Sequence, residues 1–263
     1  MSVVAIRMMV FVAIFASLFA FERLFPRRAS RREGYVANIG IFLLDSIVTR
    51  LLLAFGGVAA AAYAADMQWG LFNSIELPLW LALVASFIAL DFAVWFQHVV
   101  THKVPLLWRL HEIHHADETI DVTTGVRFHP LEIALSLVFK SAVIVALGAP
   151  VLAVIVFEVL LNAGAMFSHS NLRLPTRVDR WLRLVTVTPD MHRVHHSTHR
   201  DEADSNYGFF LPWWDRLFRT YRAQPRDGHA DMRIGVADFR ADQRLRTLLV
   251  RPFVRRAPAT PAR

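Results

Sequence analysis

The chain of 263 residues has no cysteine. Disulfides and thiolate metal sites are therefore excluded, and any transition metal must be held by His, Asp or Glu. Internal repeats and low-complexity tracts are also lacking. Charge is sparse: 19% of residues are Asp, Glu, Lys or Arg, against 55% hydrophobic. The mean hydropathy of +0.37 is above that of ordinary soluble domains. The net charge of +7 comes mostly from arginine, much of it after residue 170. A basic surplus can signal nucleic acid. Beside long apolar segments it marks the cytoplasmic side of a membrane protein instead, so no nucleic-acid partner is expected. Against these scarcities stands histidine, with 12 copies, most of them in tight groups.

The stretch from Val3 to Phe25 carries only Arg7 before Glu22 and is long enough to span a bilayer. No small-residue cleavage site precedes RLFPRRASRRE, so a retained helix is expected rather than a signal peptide. Arg27, Arg28, Arg31 and Arg32 then form a positive-inside anchor. A second apolar segment runs from Val36 to Ala65, interrupted by Asp45 and Arg50. A third, from Leu77 to Phe96, delivers the chain to His98. Pro130 to Phe167 is apolar and broken once, at LGAP, which predicts a helical hairpin. The expected architecture is all-α: an integral membrane helical bundle of about three spans plus a re-entrant hairpin, with a cytoplasmic histidine-rich cap. Residues 1–34 are read as the N-terminal span and basic loop, 35–222 as the membrane domain, and 223–263 as a looser cytoplasmic tail. Within that tail LRTLLVRPFV reads as an interfacial or packed surface helix.

His98 and His102 form H-x-x-x-H at the end of the third span. His111, His114 and His115 form H-x-x-H-H, as do His192, His195 and His196. Residues three and four apart share a helical face, and imidazole is the commonest protein ligand for transition metals. Thr188 and Pro189 read as the N-cap and first residue of the last helix. His169, in MFSHSN, ends the hairpin and is a further candidate ligand. His129, in RFHP, reads either as a ligand or as a helix-start hydrogen bond. His199 and His229 read as non-ligands, His229 as solvated. Asp91 is placed either to orient a ligand or to contact another helix, and Asp190 either to cap a helix or to support a ligand. Trp95, Phe96, Trp108 and Phe128 read as interface anchors or a lipid lining, and PWWDRLFRTY as a folded lid or a docking surface.

With HVVTH, HEIHH, RFHP, FSHSN and HRVHH in this order, followed by NYGFFLPWWDRLFRTY, residues 35 to 222 resemble the fatty acid hydroxylase and sterol desaturase superfamily. The resemblance implies an integral membrane enzyme with a cytoplasmic non-haem di-iron centre. Such an enzyme uses O2 and electrons from a separate carrier, cytochrome b5-like or ferredoxin with its reductase, to hydroxylate or desaturate a sterol-like, fatty acyl or ether lipid. It implies two Fe ions held by His98, His102, His111, His114, His115, His192, His195 and His196, with His129 and His169 completing ten. No catalytic residue is expected outside this set.

Two other readings remain. HEIHH contains H-E-x-x-H, the zinc-protease pattern, with His111 and His115 as ligands and Glu112 as general base. Glu112, however, points away from the histidine face, and the other clusters would be idle. A non-enzymatic metal-binding membrane protein is the third reading.

Overall fold

The computed structural model describes residues 3–29, 34–52, 56–236 and 243–254. Among these the chain is helical, with only two isolated bridges, Pro26 to Leu172 and Ser197 to Ile234. The elements are α1 (Val3–Leu24), α2 (Tyr35–Leu51), α3 (Gly57–Asp66), α4 (Leu79–Lys103), α5 (Pro105–His115), α6 (Pro130–Leu147) and α7 (Val151–His169). They are followed by the short α8 (Thr176–Leu182), α9 (Pro189–His195), α10 (Arg200–Ala203), α11 (Trp213–Leu217), α12 (Gly228–Asp231) and α13 (Leu245–Val250).

Four helices are long and apolar enough to cross a membrane: α1, α4, α6 and α7. The second apolar segment is not one span. It divides into α2 of 17 residues and α3 of 10, with Gly56 extended at φ −70, ψ 151. Both pieces pack on α6. Gly57 opens α3 at a close approach: a Cβ there would lie 2.5 Å from Glu158 Oε1 and 3.0 Å from Ile144. Beyond that glycine, Ala60, Ala61 and Ala64 are buried. In lipid, close backbone approach at small residues drives helix association in place of the hydrophobic effect.

The hairpin forms as expected. α6 ends at Gly148 in the left-handed region, φ 63, and Pro150 precedes α7. A Cβ on Gly148 would meet the Trp69 carbonyl oxygen and the Asn73 amide nitrogen, each at 2.8 Å. Both arms are full-length by composition, 18 and 19 residues. A half-buried ion pair between Arg7 of α1 and Glu158 of α7 ties the peripheral α1 to the hairpin.

The region beyond residue 222 is packed where described. Met232 and Ile234 are buried with Ile120, and Leu248 of α13 is buried against Ala37, Ile41, Ile113 and Ala116. The packed-helix reading of LRTLLVRPFV therefore holds. Arg31 and Arg32 lie outside the described residues. Arg27 and Arg28 do more than face a membrane surface. The Arg27 guanidinium donates to Asp190 at 2.9 Å, and Arg28 donates to the Met232 carbonyl at 3.0 Å, so both clamp the polar cap to α1.

Candidate metal centre

Pro105 organises the site. Proline disfavours helix at the preceding residue, and Val104 is extended (φ −94, ψ 115), which ends α4 and lets α5 start with proline in its first turn. The chain folds back so that His98 and His102 of α4 face His111 and His115 of α5, with ring centroids 4.8 to 5.0 Å apart. α9 supplies the opposite wall. Thr188 caps it by accepting from Met191 N, with Pro189 at its first position, as the sequence predicts.

Nine histidines converge, in two adjoining groups. His98, His102, His111, His115 and His195 form one; His114, His169, His192 and His196 form the other. Within each, one ring nitrogen per residue lies within 4.8 Å of the rest. All nine are buried. The H-x-x-H-H motifs do not act as units. On α5, His111 and His115 are about 40° apart while His114 is about 60° to the other side, and it joins the other group. On α9, His195 separates from His192 and His196 in the same way.

The outer nitrogens fix the tautomers. Nδ1 donates to a backbone carbonyl in His98 (Tyr207, 2.7 Å), His195 (Ser205, 2.7 Å), His114 (Arg127, 3.1 Å) and His169 (Ala165, 2.6 Å). In His111 it donates to the Glu132 carboxylate at 2.7 Å. Each of these five Nε2 atoms then bears a lone pair, and they point at one another. His98 to His111 is 3.0 Å, His98 to His195 3.1 Å, and His114 to His169 2.9 Å. Neither partner in such a pair can donate. Both nitrogens of His102 and His196 and Nε2 of His115 are buried without a hydrogen-bond partner. Converging lone pairs and orphaned imidazole nitrogens are what a shared cation satisfies, so the donor set fits metal ions in both groups. Burial holds His114, His115, His192 and His196 well below the ordinary imidazole pKa, reinforced by neighbouring histidines. It brings His195 to about 3. Neutral imidazole is the metal-binding form.

Other candidates fall elsewhere. His129 belongs to neither group. Its Nδ1 accepts from Leu131 N at the start of α6, and Nε2 lies 3.2 Å from the Leu249 carbonyl. That is the helix-start role. His199 pairs with Asp227 at 2.9 Å near the surface. His229 is buried rather than solvated, 3.8 Å from Asp190, and burial lowers its pKa to about 4. Asp91 does not touch a histidine; it accepts from Trp214 Nε1 at 2.8 Å and from Leu211 N. Asp190 pairs with Arg27 rather than capping α9. Glu112 is outside both groups, 3.5 Å from Arg251.

Three supporting residues escaped the sequence reading. Asp215, buried in WWDRLF, accepts from Trp95 Nε1, Tyr207 N, Gly208 N and Thr220 Oγ1 at 2.7 to 3.1 Å. It thereby fixes the carbonyl that orients His98. Arg127 is fully buried and donates to Ile113 O, Asn38 Oδ1 and Gln243 Oε1; its own carbonyl orients His114. Glu132, three residues after His129 in the first turn of α6, holds His111. The available signal was its charge in the first turn of a largely apolar helix. Phe128 stacks on His114 at 4.4 Å, Phe209 lies 4.9 Å from His98 and Trp108 4.9 Å from His102, so aromatic rings pack against imidazoles of both groups.

Four membrane-length helices and a buried polyhistidine focus define a multi-pass membrane protein with a candidate metal centre. The sequence profile of the fatty acid hydroxylase family matches residues 83–220, more than half of the chain and all nine clustered histidines. The chain belongs to that family. It is 28% identical over 233 residues to an ornithine lipid hydroxylase of Rhizobium tropici, covering 86% of this chain and 70% of that protein. It is 31% identical over 141 residues to human alkylglycerol monooxygenase, covering 53% and 30% respectively. A very-long-chain aldehyde decarbonylase of Oryza sativa subsp. indica is 29% identical over 164 residues, 55% of this chain and 25% of its own length. The chain thus spans well under half of the last two relatives. No solved structure matches it. Family membership makes it an oxidative lipid-modifying enzyme.

Proposed function

We propose that the chain is a membrane-bound non-haem di-iron oxygenase that hydroxylates an acyl or alkyl chain of a polar membrane lipid. O2 is the co-substrate, and a separate one-electron carrier protein supplies electrons from the cytoplasmic side, where the histidine centre and the C-terminus lie. The observation that carries this reading is the set of Nε2 lone pairs converging at 2.9 to 3.1 Å in a cysteine-free site. The relatives named as hydroxylases and monooxygenases of lipids support hydroxylation over desaturation.

His98, His102, His111, His115 and His195 would hold one iron, and His114, His169, His192 and His196 the other. Bound iron supplies the capacity to reduce O2 and break an unactivated C–H bond, which acid–base side chains lack. The balance is one lipid C–H, one O2, two electrons and two protons to one C–OH and one water. The chain's own part is positional. Backbone carbonyls at Tyr207, Ser205, Arg127 and Ala165 lock five imidazoles, with Glu132, in the tautomer that presents Nε2 inward. Phe128, Phe209 and Trp108 keep bulk water off the imidazoles, and the apolar helix faces admit an aliphatic chain from the side. The protease reading lacks its base: Glu112 turns to Arg251, away from His111 and His115.

The test is purification in detergent with metal analysis, followed by O2 uptake with a reduced carrier and lipid mass spectrometry. About two irons per chain are expected, with reductant-dependent gain of one oxygen atom by a lipid. Loss of two hydrogens would assign desaturation instead. Active protein without iron would overturn the reading.

A further inference from the structure

Outside the membrane-length helices, α11 is tied to the turn that follows α8. Trp213 Nε1 donates to the Leu184 carbonyl at 2.9 Å, and Arg216 donates to the Arg183 carbonyl at 2.9 Å. Together they leave Val178, Trp181, Leu184, Val185, Leu217 and Phe218 exposed, Trp181 by 64% and Leu217 by 68%. Six large apolar side chains exposed on two hydrogen-bonded segments of a polar cap call for a partner. Its charge is one-sided. Arg173, Arg177, Arg180, Arg216 and Arg219 are exposed around it. Both carboxylates of the two segments are engaged: Asp179 with Arg183 at 2.6 Å, Asp215 in its four hydrogen bonds.

The position of the patch selects the partner. Residue 173 hydrogen-bonds back to Phe25, just past the end of α1, and the chain enters α8 within a few residues of leaving α7. On the other flank, Phe218 stacks on Trp95 at 4.7 Å and on Phe92 at 6.0 Å. Those residues lie eight and eleven positions before the end of α4, roughly 12 to 16 Å inside it at helical rise. The patch thus adjoins the inner turns of a crossing helix, where Phe218 covers the buried Trp95 and the half-buried Phe92. Apolar and aromatic side chains at that depth, rimmed by arginine, match a bilayer interface bearing anionic headgroups.

We infer that α8 and α11 form an in-plane membrane-interface element that rests on anionic lipid, so that the floor of the histidine cap is submerged at headgroup level. The inference rests on the membrane reading of the fold. It also places a lipid surface directly beneath the centre that oxidises lipid.

Because the chain lacks cysteine, Trp181→Cys, Leu217→Cys and a control, Asp201→Cys, each give one labelling site in the full-length protein. Each is labelled with an environment-sensitive fluorophore and reconstituted in nanodiscs of phosphatidylcholine with or without phosphatidylglycerol. At 181 and 217 we expect blue-shifted emission and at least about twofold stronger quenching by spin-labelled lipid than at 201. Phosphatidylglycerol should strengthen the effect at 181, and the double substitution Arg177→Gln, Arg180→Gln should abolish that dependence. Labels at 181 and 217 as water-exposed and unquenched as at 201 would overturn the inference. So would shielding that appears only when an acidic electron-carrier protein is added, which would make the patch a protein-docking surface. A label at Leu135, exposed on α6, reports membrane insertion itself. If Leu135→Cys is unquenched, the membrane reading has failed rather than the inference.

Discussion

Replacing His114 by alanine separates the possible chemistries most cleanly, because the H-E-x-x-H pattern ignores this residue. His114 is buried, its Nδ1 is held by the Arg127 carbonyl, and its Nε2 faces His169 at 2.9 Å. Its group has four imidazoles, so the substitution removes one of four donors and leaves the five-histidine group whole. Changing a residue that merely orients a ligand costs about 10 to 100-fold in metal affinity, so losing a donor should cost more than about 100-fold. That is about 3 kcal/mol or more. The expected result is a fall from about two irons to about one per chain under limiting iron, and lipid oxidation reduced by at least about 100-fold. His111→Ala, which depletes the other group, should be as damaging to activity. The assay is iron determination on the purified protein beside lipid product formation with a reduced carrier. A His114→Ala protein that keeps its iron and its activity would refute the two-group reasoning.

Four further outcomes follow from the same geometry. Glu112→Gln should retain most lipid oxidation, since Glu112 faces Arg251; complete loss of activity with iron retained would restore the H-E-x-x-H reading. Glu132→Gln keeps an acceptor for His111 Nδ1 and should bind iron within about 10-fold of wild type, whereas Glu132→Leu should lose about 10 to 100-fold in a chelator competition; identical behaviour of the two would remove Glu132 from the centre. Burial and mutual repulsion lower the pKa of His114, His115, His192, His195 and His196 in the fold, His195 to about 3. Unfolded histidines take up protons near pH 6.5, so stability and metal retention should be full above about pH 6.5 and decline as pH falls toward the folded values; a midpoint of thermal unfolding that is flat between about pH 7.5 and 5.5 would contradict this. Gly148→Ala forces a Cβ onto the Trp69 carbonyl at positive φ and should destabilise the hairpin by about 1 to 3 kcal/mol, read as a lower unfolding temperature in detergent.

Long apolar runs and the LGAP turn were legible because bilayer thickness and proline and glycine geometry act locally. α1, α4, α6 and α7 follow directly from them. The division of residues 36–65 into α2 and α3 was not legible: Gly56 and Gly57 mark its far side, but the neighbours that crowd Gly57, Glu158 and Ile144, lie on other helices. At the centre, histidine spacing identified the residues that converge, with His129 the exception. Its capping of α6 is a local alternative that the sequence already offered, and only the position of Leu249 shows that its other nitrogen is also engaged. The partition into five and four was hidden because a shared helical face still spans about 100° between His114 and His115, enough to reach two foci. His229 appeared solvated because its neighbour Asp190, at 3.8 Å, lies nearly forty residues earlier. Arg127 and Asp215 carried no local signal, because each acts on an imidazole through a backbone carbonyl, and Glu132 was marked only by its charge in the first turn of α6.

The order of the ligands along the chain has a consequence for biogenesis. The nine imidazoles enter between His98 and His196, and the last three come together on α9. Until α9 docks against α7, one focus has four donors but the other has only His114 and His169, too few to retain an ion and facing each other with like lone pairs. A chain emerging from the ribosome N-terminus first therefore has its membrane helices inserted before both ions can be held. The second site would therefore become able to hold an ion only once α9 has docked and closed the cap.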